Sequence, residues 1–194
     1  MGYLGMWPTV ILISGKMGSG KTSLQSRIYD QWKLKYGVPL KVNFADIIYE
    51  MHDAVLDILS QHYEDKRGLK KDGNLLQLLG TEWGRNTISP DIWVECLRNK
   101  VLSHPSPLAI VGDCRFPNEL GTFSGTDRRV IKVRLECPES VRKVRCSMWR
   151  ENTGHPSEVS LDGDGFNWDL VFNTESMDID YCTHKILDYI HART

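Results

Sequence analysis

The chain has 194 residues, 41% hydrophobic and 25% charged, an ordinary globular composition with enough length to bury a core without disulfide or metal staples. A net charge of −1 lacks the basic excess expected of a protein that works mainly on duplex DNA. Five cysteines, an odd number with no Cys-x-x-Cys pair, exclude a disulfide framework and a zinc site and point to reduced thiols in a cytoplasmic compartment.

The first 13 residues are apolar but have no basic n-region and run directly into a Gly-rich loop, so they read as a buried strand and not as a signal peptide. Position 6 is Met, which breaks the myristoylation pattern, and no stretch approaches membrane-spanning length, so no membrane partner is expected. Residues 9–14 (TVILIS) form a continuous β-branched run, the pattern of a strand buried on both faces of a parallel sheet. A helix follows with Leu24, Ile28, Trp32 and Tyr36 at i+4 spacing, stopped by Gly37 and Pro39. Residues 40–44 are a second strand. Asp46 can cap the next helix, on which Ile48, Met51, Val55, Ile58 and Leu59 make one apolar stripe.

Residues 64–73 (EDKRGLKKDG) read as an exposed loop, and 74–79 as the start of a helix. Ser89-Pro90 is an N-cap followed by Pro at the first helical position, opening a helix to about Leu102. Residues 107–112 (PLAIVG) are a third strand ending at Asp113, and 129–135 a fourth. Pro138 opens a basic helix to about Arg150, residues 152–165 are loop-like, 168–172 are a fifth strand and 177–191 a closing helix. Strands alternating with helices predict a single α/β domain built on a five-stranded parallel sheet flanked by helices, with ligands at the carboxyl ends of the strands.

Gly15, Lys16, Met17, Gly18, Ser19, Gly20, Lys21 and Thr22 match G-x-x-x-x-G-K-[ST] between a buried strand and an amphipathic helix. Glycines let the backbone N–H groups turn inward onto phosphate oxygens, and the helix N-terminus adds partial positive charge. The pattern predicts ATP or GTP bound by residues 15–23, Ser23 included, with Lys21 on the β- and γ-phosphates and the Thr22 hydroxyl on Mg²⁺. Asp113, at the end of an apolar strand, is the second expected metal ligand. Arg115 and Glu119 follow in the same loop, and Arg115 is suited to neutralise the transferred phosphoryl group. Arg142, Lys143, Arg145 and Arg150 lie on the basic helix ahead of a loop, an arrangement suited to a flap over roughly residues 138–165. An ordinary solvated basic face explains the same residues. His155 has no second ligand at metal spacing.

Between residues 77 and 94, Gln77, Glu82, Trp83, Arg85, Asp91 and Trp93 bring together two indoles, an arginine, an amide and acids. Such a set can stack on a base and hold its edge and phosphate, and buried aromatic packing is the plainer use of either tryptophan. With this block the sequence resembles the deoxynucleoside monophosphate kinases of tailed bacteriophages. The pieces that carry the resemblance, in order, are GKMGSGKTS, QLLGTEWGRNTISPDIWV, GDCRFPNE, GHPSE and DLVFNTESMD. The resemblance implies a P-loop, nucleoside monophosphate kinase-like fold, with an acceptor-binding helical segment over about 46–103 and a short lid. It implies phosphoryl transfer from ATP with Mg²⁺ to a small-molecule nucleotide acceptor, a deoxynucleoside monophosphate, giving the diphosphate, in a monomer or homodimer in the host cytoplasm during infection. Gln77, Arg85, Trp93 and Arg115 would face the acceptor, with Asp46, Trp83 and Glu158 beside them, Glu158 reaching it from the lid region. Lys21, Asp46, Arg115, Arg142 and Arg145 are the candidate catalytic residues.

One segment departs from the family pattern. Relatives often read Phe-Ala-Asp-Pro-Leu-Lys after the second strand, where this chain has Phe44-Ala45-Asp46-Ile47-Ile48-Tyr49. An alternative acceptor is a hydroxyl, such as that of 5-hydroxymethyluracil in DNA, with Asp46 as general base.

Overall fold

All seven residues of β1, Thr9–Gly15, are buried, as its unbroken apolar run requires of a strand covered on both faces. In the computed structural model, residues 8–64, 69–146, 149 and 156–192 are described. The expected basic position Arg150 and the loop residues 152–155, His155 among them, lie outside the described residues. The chain divides into two compact units, one running to Asn43 and resuming at Val101, the other Phe44–Lys100.

The first unit carries five parallel strands in the order β2-β3-β1-β4-β5, with β2 Leu40–Val42, β3 Leu108–Cys114, β4 Arg129–Glu136 and β5 Leu170–Asn173. Helices α1 (Lys21–Tyr36) and α8 (Ile179–His191) pack with one face of this sheet. Ile11 and Ile13 of β1, Ile131 and Val133 of β4, Leu24, Ile28 and Trp32 of α1, and Ile186 and Ile190 of α8 form its core. Each such side chain contributes roughly 1.5–3 kcal/mol on burial. On β4 the burial alternates, with Ile131, Val133 and Leu135 buried and Lys132 and Arg134 on the opposite face. Central β1 delivers the phosphate loop from the middle of the sheet, and β3 extends through Asp113 to Cys114, one turn of the pleat beyond its apolar run.

Beyond shifts of a residue or two at β2, β5 and the closing helix, the helices differ from expectation in three places. The basic helix, α6, is Glu139–Arg145 and closes with the Cys146 N–H on the Arg142 carbonyl. A short helix, α7, occupies Pro156–Val159 where a loop was expected. A further short helix, α5 (Pro117–Leu120), follows β3.

The second unit holds α2 (Asp46–His62), α3 (Gly73–Gln77), a π-helix (Leu78–Ile88) and all but the last three residues of α4 (Ile92–Ser103). The N-cap position of α2 is Ala45, so Asp46 stands inside the first turn and not at the cap. Its expected apolar stripe is largely exposed: Val55, Ile58 and Leu59 face solvent, and His52 is the buried residue of the helix. A unit of this size buries too little surface to cover every apolar side chain. His52 instead pins the helix, its Nε2 accepting the Asp72 N–H at 3.0 Å and its Nδ1 meeting Asp53 at 2.8 Å. Asp72 in turn caps α3 through Asn74 N and Leu75 N.

The segment expected to continue as an α-helix from residue 74 winds into the π form. Its wider turn sets residues five apart over one another. Gln77 Nε2 meets Glu82 Oε1 at 3.1 Å and Thr87 Oγ1 donates to the Glu82 carbonyl at 2.8 Å, both at that spacing. Among the described residues no helix is long and apolar enough to cross a membrane.

Candidate active site

The loop after β1 curls through Gly18 (φ 79°) and Gly20 (φ 96°), left-handed conformations that side chains disfavour. A Cβ at Gly18 would stand 2.8 Å from the Arg142 carbonyl oxygen, and one at Gly15 would stand 2.6 Å from Ser19 Oγ. Neither Gly15 nor Gly18 therefore has room for a side chain. Ser19 Oγ is buried and has no hydrogen-bond partner among the described residues.

Lys21 starts α1 and folds back under this loop, its Nζ donating to the Gly15 carbonyl at 2.6 Å and the Lys16 carbonyl at 2.9 Å. Burial pulls its pKa down from 10.5 to about 7, and the neighbouring Arg115 pushes the same way. Glu158 and Asp113 pull it back up, so both carboxylates lie within electrostatic reach of the ammonium group. Thr22 is exposed in the first turn of α1. Among the described residues no group of three or more His, Cys, Asp or Glu could hold a metal alone. Thr22 and Asp113 offer a hydroxyl and a carboxylate, the oxygen donors that Mg²⁺ takes, so with phosphate oxygens and water they would make part of its octahedral shell.

The strand end that bears Asp113 is braced. Gln25 Nε2 donates to the Ile110 carbonyl at 2.9 Å and the Val42 carbonyl at 3.1 Å, while Asn43 Oδ1 accepts from Gly112 N at 3.2 Å. Glu119, 2% exposed, accepts the backbone N–H groups of Arg115 at 2.6 Å and Phe116 at 3.0 Å. A buried carboxylate thus fixes the loop that carries Arg115.

Arg142, expected on the flap, is turned inward in this structure. It is buried, donating to the Cys137 carbonyl at 3.0 Å and the Met17 carbonyl at 3.1 Å, with its guanidinium 5.2 Å from the Trp149 ring centre. Its hydrogen bonds go to backbone, so it buttresses the phosphate loop from behind. Arg145 is exposed and donates to the Thr174 carbonyl at 2.8 Å.

Glu158, expected among the acceptor contacts, has one carboxylate oxygen 2.9 Å from Met17 N and the other 2.7 Å from Arg115 Nη1. Asp162 takes Lys16 Nζ at 2.6 Å and Arg134 Nη2 at 3.1 Å. Sequence reasoning missed Arg134, Asp162 and Thr174. The alternation along β4 marks Arg134 as facing away from the buried set, and Thr174 follows directly on β5, where strand ends collect ligand-binding groups.

In the helical unit, Gln77 is exposed and joined to Glu82, Trp83 is 43% exposed, and Arg85 Nη1 approaches the Pro90 carbonyl at 3.4 Å. Trp93 departs from its expected acceptor contact. It is 2% exposed, its Nε1 donates to the Gly80 carbonyl at 2.7 Å, and its ring lies where a Cβ on Gly84 would come within 2.3 Å. With its donor and ring both spent on packing, Trp93 holds the π-helix. Asp46 opens α2 in this unit.

A parallel sheet in this order, a glycine loop after its central strand and a lysine folded under that loop define a P-loop protein of the nucleoside monophosphate kinase-like fold. The fold matches an APS kinase of Mycobacterium tuberculosis solved with AMPPNP and APS, at TM-score 0.58 and 13% identity over 96% of this chain and 99% of that one. It also matches a gluconokinase from Sinorhizobium meliloti (TM-score 0.52, 16% identity, 96% and 94% covered) and a shikimate kinase from Acinetobacter baumannii in complex with shikimate (0.52, 14%, 97% and 95%). By sequence the chain is similar to a deoxynucleoside-5'-monophosphate kinase of Escherichia phage T5, 32% identical over 106 residues. That match takes in 48% of this chain and 39% of the relative's length. No family model matches.

Proposed function

We propose that this chain is a P-loop kinase that transfers the γ-phosphoryl group of ATP to a deoxynucleoside monophosphate, giving the diphosphate. The observation that carries the reading is Lys21, buried beneath the loop backbone with Asp113 and Arg115 close enough to shift its ionisation. Phosphoryl transfer asks the protein mainly for positioning and for compensation of charge on oxygen. The named relative supports the nucleotide acceptor.

The acceptor phosphate is already ionised near neutral pH, its second pKa being about 6, so no general base is required. Lys21 holds the β- and γ-phosphates against the loop N–H groups of residues 15–22. Ser19 Oγ gains a partner when a phosphate oxygen enters. Arg115, on its braced loop, faces the group being transferred, and Arg145 is free to exchange its Thr174 carbonyl contact for nucleotide. Mg²⁺, held by Thr22 and Asp113 with the phosphates, would supply further neutralisation. On the helical unit, Trp83 and Arg85 suit stacking and phosphate binding, Gln77 suits a base edge, and Asp46 orients the acceptor. Such a substrate pool is cytoplasmic, so the activity belongs in the host cytoplasm during infection.

The test offers γ-labelled ATP with each deoxynucleoside monophosphate, each nucleoside and hydroxymethyluracil-containing DNA. Label in a deoxynucleoside diphosphate is expected. Label only in a hydroxyl acceptor overturns the acceptor class, and no nucleotide binding at all overturns the kinase reading.

A further inference from the structure

Two carboxylates from one short segment sit on donors that a nucleotide needs. Glu158, on α7, takes the Met17 backbone N–H of the phosphate loop at 2.9 Å and Arg115 at 2.7 Å. Asp162, four residues on, takes Lys16 of the same loop at 2.6 Å and Arg134 of β4 at 3.1 Å. Glu158 and Arg134 are shielded, at 14% and 12% side-chain exposure, while Asp162 and Lys16 are more open, at 38% and 34%. Charge-assisted bonds of this length are the strong kind, and each carboxylate satisfies two donors at once. An inward-facing N–H and three cations around a P-loop are an anion site, and here the anions belong to the chain itself.

We propose that Glu158 and Asp162 are a carboxylate latch that competes with nucleotide phosphates for the loop. This rests on the kinase reading above and adds a regulatory role for the 158–162 segment. A phosphate approaching Met17 N competes with Glu158 for its single N–H, and its charge beside Lys16 and Arg115 repels both carboxylates from the cations they hold. Nucleotide entry is thereby coupled to release of the segment that α7 begins. The apparent affinity is the intrinsic affinity reduced by the fraction of molecules with the latch open. Weakening either carboxylate raises that fraction.

The experiment measures ADP binding by calorimetry, without acceptor and with metal chelated, for the parent chain, Glu158→Gln, Asp162→Asn and Asp164→Asn. The last removes the same charge from the same segment at a position outside the four contacts. Glu158→Gln and Asp162→Asn are expected to bind ADP at least about threefold more tightly, with Asp164→Asn at the parental value. Affinity that is unchanged or weaker in both latch variants overturns the proposal. An equal gain in Asp164→Asn also overturns it, since that outcome is general electrostatics. Should Glu158→Gln fail to fold, shown by circular dichroism, Asp162→Asn alone decides. A parent that binds no ADP refutes the kinase reading itself, so the two failures are distinguishable.

Discussion

Thr174 Oγ1 donates to the Ser19 carbonyl oxygen at 3.0 Å, tying the end of β5 to the phosphate loop across 155 residues of sequence. The Thr174 backbone N–H reaches the Glu136 carbonyl at 2.8 Å, so β4, β5 and the loop meet at one residue. Thr174→Val keeps the shape and removes the donor, leaving a buried carbonyl unpaired. The expected loss is about 1–3 kcal/mol of stability, with weaker nucleotide binding. Urea unfolding and an ADP titration check both; parental values in each would show that the bond contributes nothing.

Lys21 links nucleotide binding to protons. Its pKa of about 7, against 10.5 when unfolded, means the unfolded chain holds more protons between those values. Stability from this group therefore rises with pH across that window, and burial of the charged form costs most below it. Phosphate in the loop favours the charged lysine. At pH 8, ADP binding is expected to take up a proton, and at pH 6 almost none. Calorimetry in two buffers of different ionisation enthalpy reads this directly. Lys21→Ala should abolish the pH-dependent uptake and lower kcat by about 10²–10³.

Asp46 separates the two acceptor chemistries. With a phosphate acceptor there is no proton to remove, and Asp46→Asn should keep kcat within about tenfold for the best acceptor. A general base is worth roughly 10²–10⁴ in rate. A loss of three decades, with ADP affinity and fold retained, would favour the hydroxyl acceptor.

Gly84→Ala tests the packing of the helical unit. The added methyl would meet the Trp93 ring at 2.3 Å and the Leu79 carbonyl at 2.8 Å. An overpacking cost of about 1–3 kcal/mol is expected in chemical denaturation. A variant as stable as the parent would mean that the Trp93 ring moves aside without cost.

Consecutive residues were enough for β1, the glycine loop, α1 and the five parallel strands of a P-loop kinase fold, though not for the order in which the strands lie. Their signals are local: β-branched runs, glycines where φ must be positive, and i+4 apolar spacing. The strand-end rule also brought Asp113 and Arg115 to the loop's neighbourhood. Tertiary structure alone decided what the charged side chains do. Arg142 and Arg145 read alike in a basic helix, yet one is buried against the Met17 carbonyl and the other exposed on Thr174. Trp93 and Trp83 read alike in one motif, yet Trp93 is core and Trp83 half-exposed. Glu158 lies 141 residues from the N–H it occupies. Ion pairs and hydrogen bonds of that range have no period and no spacing, because their partners are chosen by how the strands are ordered. The π-helix is similar: an α-periodic pattern does not reveal a turn widened in a segment where Gly84 accepts the Trp93 ring.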